Sequence, residues 1–129
     1  MSFAAARGFG ALAVNGPDGP IVSHVPFVPA PGGVALHLVR SNPIARVLTS
    51  GAMGAVLAVS GPDGYISPDW YGVEDQVPTW NYVAVHFIGQ LELQPQEHQL
   101  LHRRVDRALP PGRRGRRPSK RWALLGCAF

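Results

Sequence analysis

Apolar and polar positions alternate with a period of two along most of the first ninety residues, the spacing of strands with one buried face. Gly10–Asn15 and Pro20–Val28 are runs of β-branched and small apolar residues separated by Gly16-Pro17-Asp18-Gly19. Proline pre-sets the first turn dihedral, aspartate bonds back to the backbone and glycine accepts a positive φ, so this tetrapeptide predicts a hairpin. Pro29–Gly33 is a second turn. It leads into Val34–Val39, with Val34, Leu36 and Leu38 on one face and Ala35, His37 and Val39 on the other. Gly54–Ser60 reads as a further strand, ended by Gly61-Pro62-Asp63-Gly64, a repeat of the first turn. Val83–Leu93 is the longest strand. Val83, Val85, Phe87, Gly89 and Leu91 share one of its faces, and Ala84, His86 and Ile88 the other. Both faces are largely apolar, which predicts cover on both sides.

Two segments break this period. At Ser41-Asn42-Pro43 either of the first two residues can cap a helix, and proline suits a first turn that needs no amide donor. Ile44, Val47 and Leu48 form its apolar stripe and Ser50-Gly51 stops it. Pro95 opens a second helix through Leu109, with Leu100, Leu101, Val105, Ala108 and Leu109 on its apolar side. After Pro110 the chain is rich in Arg, Gly and Pro and loses all periodicity, the pattern of loop or disorder. Short strands with two helices predict a mainly β fold, a small barrel with appended helices. The expected division is a barrel domain over residues 1–109 and a basic tail over 110–129.

Composition changes this picture in two places. The net charge of +4 is uneven: residues 1–102 hold three arginines against seven acids, whereas residues 103–129 hold nine Lys/Arg against Asp106. Such asymmetry reads as a solvated terminal segment or as a contact for nucleic acid or an acidic partner. No helix-turn-helix pattern is visible, so sequence-specific DNA reading has no support from the residues. The one cysteine, Cys127, has no partner for a disulfide or a Cys-based zinc site. No apolar run approaches the roughly 20 residues that cross a bilayer, and Met1–Gly10 carries no secretory h-region. No membrane association and a cytoplasmic location are therefore expected.

Candidate chemistry concentrates in residues 61–82. Trp70, Trp80 and all three tyrosines (Tyr65, Tyr71 and Tyr82) lie there, among Ser67, Thr79 and Asn81. Such a group either packs beneath a long loop or forms the aromatic wall, with a few fixed polar groups, that a flat heterocycle requires. His98 and His102 stand i, i+4 on the second helix but lack a third metal ligand, and read as solvated. No Ser/His/Asp set, phosphate-cradling glycine loop or carboxylate pair is evident.

Three blocks carry a resemblance: His37-Leu38-Val39-Arg40-Ser41-Asn42-Pro43, Tyr65-Ile66-Ser67-Pro68-Asp69-Trp70-Tyr71, and Val77-Pro78-Thr79-Trp80-Asn81-Tyr82-Val83-Ala84-Val85-His86. With Gly89, and with Ser23-His24-Val25-Pro26-Phe27 upstream, they stand in the order of the FMN-binding negative transcriptional regulators similar to PaiB. The resemblance covers roughly residues 8–109. It implies the FMN-binding split barrel, a Greek-key fold shared with pyridoxamine-phosphate-oxidase-like proteins. It also implies a homodimer with flavin mononucleotide (FMN) in each cleft between protomers. Family members are longer, so the chain is expected to be cut short at its C-terminus.

On that resemblance, Arg40, Ser41 and Asn42 are assigned to the FMN phosphate: a guanidinium beside a helix start suits an anion. The ring is expected along His24, Val25, Pro26 and His37, with backbone groups meeting its pyrimidine edge. Trp80, Asn81 and Tyr82 either close the pocket or pack the loop, and His86 is structural. Three functions follow: a flavin-binding regulator, a flavin-dependent oxidoreductase on the same fold, and a nucleic-acid-contacting protein acting through its tail.

Overall fold

The computed structural model describes residues 2–94 and 122–128. Strands β1 (Phe9–Gly16) and β2 (Gly19–Ala30) form the expected hairpin, pairing from Phe9 with Pro26 to Gly16 with Gly19. Pro17-Asp18 is its tip, and Gly19 takes a φ of 128°, a conformation that side-chain-bearing residues avoid. Strand β3 (Gly33–Val39) pairs with β2 only over Phe27–Ala30. Strand β4 (Met53–Ile66) pairs with β1 over Ala55–Ala58 and with β5 (Thr79–Leu93) along its length. Strand β6 (Trp122–Ala128) lies between β3 and β5, giving a closed barrel in the order β1-β2-β3-β6-β5-β4. Followed once round the circuit, the registers return to β1 about ten residues from the start, the stagger that strands of a small barrel need to tilt and close. The fold is thus the mainly β split barrel.

The period of two fills the interior. Leu12 and Val14, Val25 and Phe27, Val34, Leu36 and Leu38, and Ala55, Leu57 and Val59 are all buried, with Leu91 of β5. Each leucine fully withdrawn from water contributes about 1.5–3 kcal/mol. Phe27 meets Phe87 edge-on across the interior, ring centroids 6.0 Å apart. Helix α1 (Ser2–Arg7) adds buried Ala4. Helix α2 (Pro43–Val47), followed by a 3-10 turn at Leu48–Ser50, adds Ile44, Ala45 and Leu48. Asn42 caps α2 by accepting the Ile44 amide on Oδ1 at 2.9 Å.

Four expectations meet a different outcome or fall outside the described residues. Gly61–Gly64 is not a turn: β4 runs through it to Ile66, and its register against β5 shifts between Ser60 and Asp63. A glycine and a proline without an amide donor fit a bulge as well as a turn, and β5 alongside keeps the chain extended. The outer face of β5 is not covered: Ala84 and His86 are exposed and Ile88 is 70% exposed, so His86 has no buried structural role. Within the expected tail, residues 122–128 are a barrel strand, while residues 110–121 lie outside the described residues. The helix expected from Pro95 to Leu109, with His98 and His102, lies outside them too.

Candidate flavin site at the barrel seam

The short β2–β3 ladder opens a seam. Phe27 donates its amide to the Gly8 carbonyl at 3.0 Å, so its peptide groups face β1. By strand alternation those of Val25 and Ser23 face β1 as well, and those of Val22, His24 and Pro26 face away. On that side the β3 ladder ends at Phe27, leaving Val22–Pro26 an edge with no strand partner among the described residues. Unpaired backbone donors and acceptors along such an edge suit the amide-like rim of a heterocycle.

The side chains divide by face. Val25 is 1% exposed inside the barrel and its peptide groups face Gly10 of β1, so the ring contact expected of it is not offered by either its side chain or its backbone. His24 is exposed on the outer face and stacks on Phe9, centroids 6.2 Å apart and planes 21° apart. His37 is half-buried on the outward phase of β3, and continuing the β2–β3 register sets it beside Pro26. His24, Pro26 and His37 therefore share the outer side of the seam, and the turn after β3 lies at its end, tied to β2 through Ser23.

That turn carries the cation. The Asn42 amide donates to the Val39 carbonyl at 2.8 Å, closing a tight turn through Arg40 and Ser41, both exposed. Among the described residues no carboxylate pairs with the Arg40 guanidinium. Helix α2 is only five residues long, too short for a substantial macrodipole, so anion affinity here rests on the guanidinium and the Ser41 hydroxyl. The polar atoms of Asn42 are committed. Besides capping α2, its Oδ1 accepts from Ser23 Oγ at 3.2 Å, and its Nδ2 donates to Ser23 Oγ at 2.9 Å. Asn42 thus positions the turn. Ser23 was missed by the sequence reading, although a polar residue in the inward phase of Val25 and Phe27 is the signal that could have found it.

Trp80, Asn81 and Tyr82 do not join this cluster. They pair with Tyr65, Gly64 and Asp63 beyond the bulge, on an arm where every residue from Asp69 to Ala84 is exposed. Ser23, Leu12, Leu57 and Phe87 lie on one rung across β2, β1, β4 and β5. Tyr82 is five residues further along β5, which with three strand spacings puts it on the order of 20 Å from the seam. On the arm Tyr65 and Trp80 touch across the strands, centroids 6.0 Å apart. Ser67 caps the 3-10 turn Pro68–Tyr71 by accepting the Asp69 amide at 3.3 Å.

A seam with an open backbone edge, ring-bearing neighbours and a guanidinium without a carboxylate partner among the described residues matches the chemistry of FMN: a flat ring with an amide-like edge, a flexible chain and a phosphate. Fold and site together define a split-barrel flavin-binding domain. The sequence comparisons agree: residues 1–117 match the family described as "Putative FMN-binding domain", and the chain belongs to that family. It is 30% identical over 96 residues to the Protease synthase and sporulation protein PAI 2 of Bacillus subtilis (strain 168), covering 71% of this chain and 45% of that protein. It is 32% identical over 83 residues to the uncharacterized protein YKL070W of Saccharomyces cerevisiae (strain ATCC 204508 / S288c), covering 57% of this chain and 48% of that one. The chain therefore spans about half the length of these curated relatives. It is an FMN-binding, PaiB-like protein.

Proposed function

We propose that this chain is a flavin-dependent regulatory protein that acts in the cytoplasm as a homodimer, with FMN held between protomers. The convergence of the Arg40–Ser41 turn with the open edge of β2 carries this reading. Arg40 binds the phosphate with Ser41, Asn42 holds the turn, the peptide groups of His24 and Pro26 meet the pyrimidine edge, and His24 and His37 flank the ring. Bound FMN supplies any electron-transfer chemistry, and the chain supplies position and electrostatics. The regulatory role follows the resemblance to PaiB-type regulators. The described helices, six and five residues long, are too short to read a DNA groove.

Dimerisation is supported by the outer face and the arm. Val22, Ala13, Val56 and Ile88 form one rung across four strands, with Val22 56% and Ile88 70% exposed. A shallow depression of about 380 Å³ lies there, between Ala13, Pro20, Val56 and Ile88 among others. His24 stands on the same face, two residues along β2 from Val22, so a second copy seated here covers the ring site and brings its own Trp80, Asn81 and Tyr82 into reach. The arm then closes the partner's pocket instead of its own. Purified protein should be yellow, or turn yellow with added FMN, and light scattering should give twice the chain mass. Anaerobic NADPH should leave the flavin bands in place; rapid bleaching would assign the chain to oxidoreductases instead. A colourless protein that takes up no FMN would contradict the whole reading.

A further inference from the structure

We infer that Ser23 is a positioning residue for the flavin phosphate, acting through Asn42; the inference rests on the flavin site proposed above. The β2–β3 ladder ends at Phe27, so no backbone pairing fixes the turn at Arg40 against the first half of β2. What joins them is the reciprocal side-chain pair of Ser23 and Asn42, 19 residues apart in sequence and part-buried, with both contacts on the Ser23 hydroxyl. Asn42 Oδ1 is at the same time the cap of α2, and its amide closes the turn onto Val39. One asparagine therefore ties three things together: the phosphate-binding turn, the start of α2 and the strand whose edge meets the ring.

This geometry gives Ser23 a specific effect. The ring is held by β2 and the phosphate by the turn, so the distance between the two half-sites is set by the link between them. A ligand that uses only the ring half-site does not sense the link. FMN, which spans both, does. Loosening the link costs FMN the advantage of a pre-set spacing and leaves riboflavin, which lacks the phosphate, unaffected.

The test compares dissociation constants for FMN and riboflavin, by quenching of flavin fluorescence, in the full chain and in three variants. Ser23→Ala breaks the link from β2. Asn42→Ser breaks it from the turn while keeping a capping hydroxyl for α2. Ser23→Thr keeps the hydroxyl. The expected result is an FMN affinity lowered about tenfold in the first two variants, riboflavin affinity unchanged, and recovery in Ser23→Thr. FMN and riboflavin weakened equally, or an unchanged FMN-to-riboflavin ratio in both breaking variants, would overturn the inference. A wild-type chain that binds no FMN, or binds it no better than riboflavin, overturns the flavin site itself, which separates the two failures.

Discussion

The barrel and the arm are built from the same two strands, β4 and β5, and differ in what lies behind them. On the barrel side of the Ser60–Asp63 bulge, alternate residues of β4 are sealed: Ala55, Leu57 and Val59 are at most 5% exposed. Beyond it, Tyr65 is 49%, Trp80 56% and Tyr82 70% exposed, although each of these side chains carries a large apolar ring. Strand pairing continues through both regions. Pairing alone thus fixes an extended backbone, and burial requires a second layer, which the barrel supplies to itself and the arm does not. The seam belongs to the barrel side. Trp80, Asn81 and Tyr82 lie on the arm, away from it.

Substitutions can sharpen or break this contrast. The largest effect is expected in the barrel: Leu57→Ala should cost about 2–5 kcal/mol in urea unfolding, the toll of a cavity in a closed interior. Tyr82→Ala on the arm should change the same midpoint by less than about 0.5 kcal/mol, and equal losses would mean the arm packs as a core. Next comes the bulge. A Cβ on Gly61 would stand 2.6 Å from Phe3 Cζ and 3.1 Å from Val83 Cβ, whereas one on Gly64 meets nothing within 4 Å. Gly61→Ala should cost about 1 kcal/mol or more and Gly64→Ala clearly less. Phe3→Ala should relieve most of the Gly61→Ala cost in a double-mutant cycle, showing that α1 sets the base of the arm. The smallest effect is on the arm itself, where a Tyr65/Trp80 cycle should give a coupling of about 0.5–1 kcal/mol.

The two Gly-Pro-Asp-Gly segments show what a sequence can and cannot tell. At 16–19 the tetrapeptide reverses the chain, because β1 and β2 fold back on each other around it. At 61–64 the same residues are a bulge, because β5 and the ring of Phe3 flank them. Local chemistry permits both, and distant partners choose. The first three strands and the start of α2 were legible because alternation and capping are local, although the choice of Asn42 over Ser41 as the cap came from the structure. Strand β6 was not: its residues, Trp-Ala-Leu-Leu-Gly-Cys-Ala, show no alternation and follow a stretch dominated by arginine.

The site divides in the same way. Arg40, Ser41, His24 and His37 were marked by short blocks of residues; His24 and His37 lie on the outward phases of β2 and β3, and Arg40 and Ser41 on the exposed turn that follows. The Ser23–Asn42 link joins residues 19 apart, and the distance of Trp80–Tyr82 from the seam follows from barrel registers. Neither can be read from neighbours along the chain.

The central claim is that the turn at Arg40 holds a nucleotide phosphate while the seam holds its ring. Fluorescence titration of Arg40→Ala with FMN and with riboflavin tests it most directly. Loss of a charge-assisted contact should weaken FMN by about 2 kcal/mol, near thirtyfold, and leave riboflavin as in the parent chain. FMN bound as tightly by Arg40→Ala as by the parent would contradict the account.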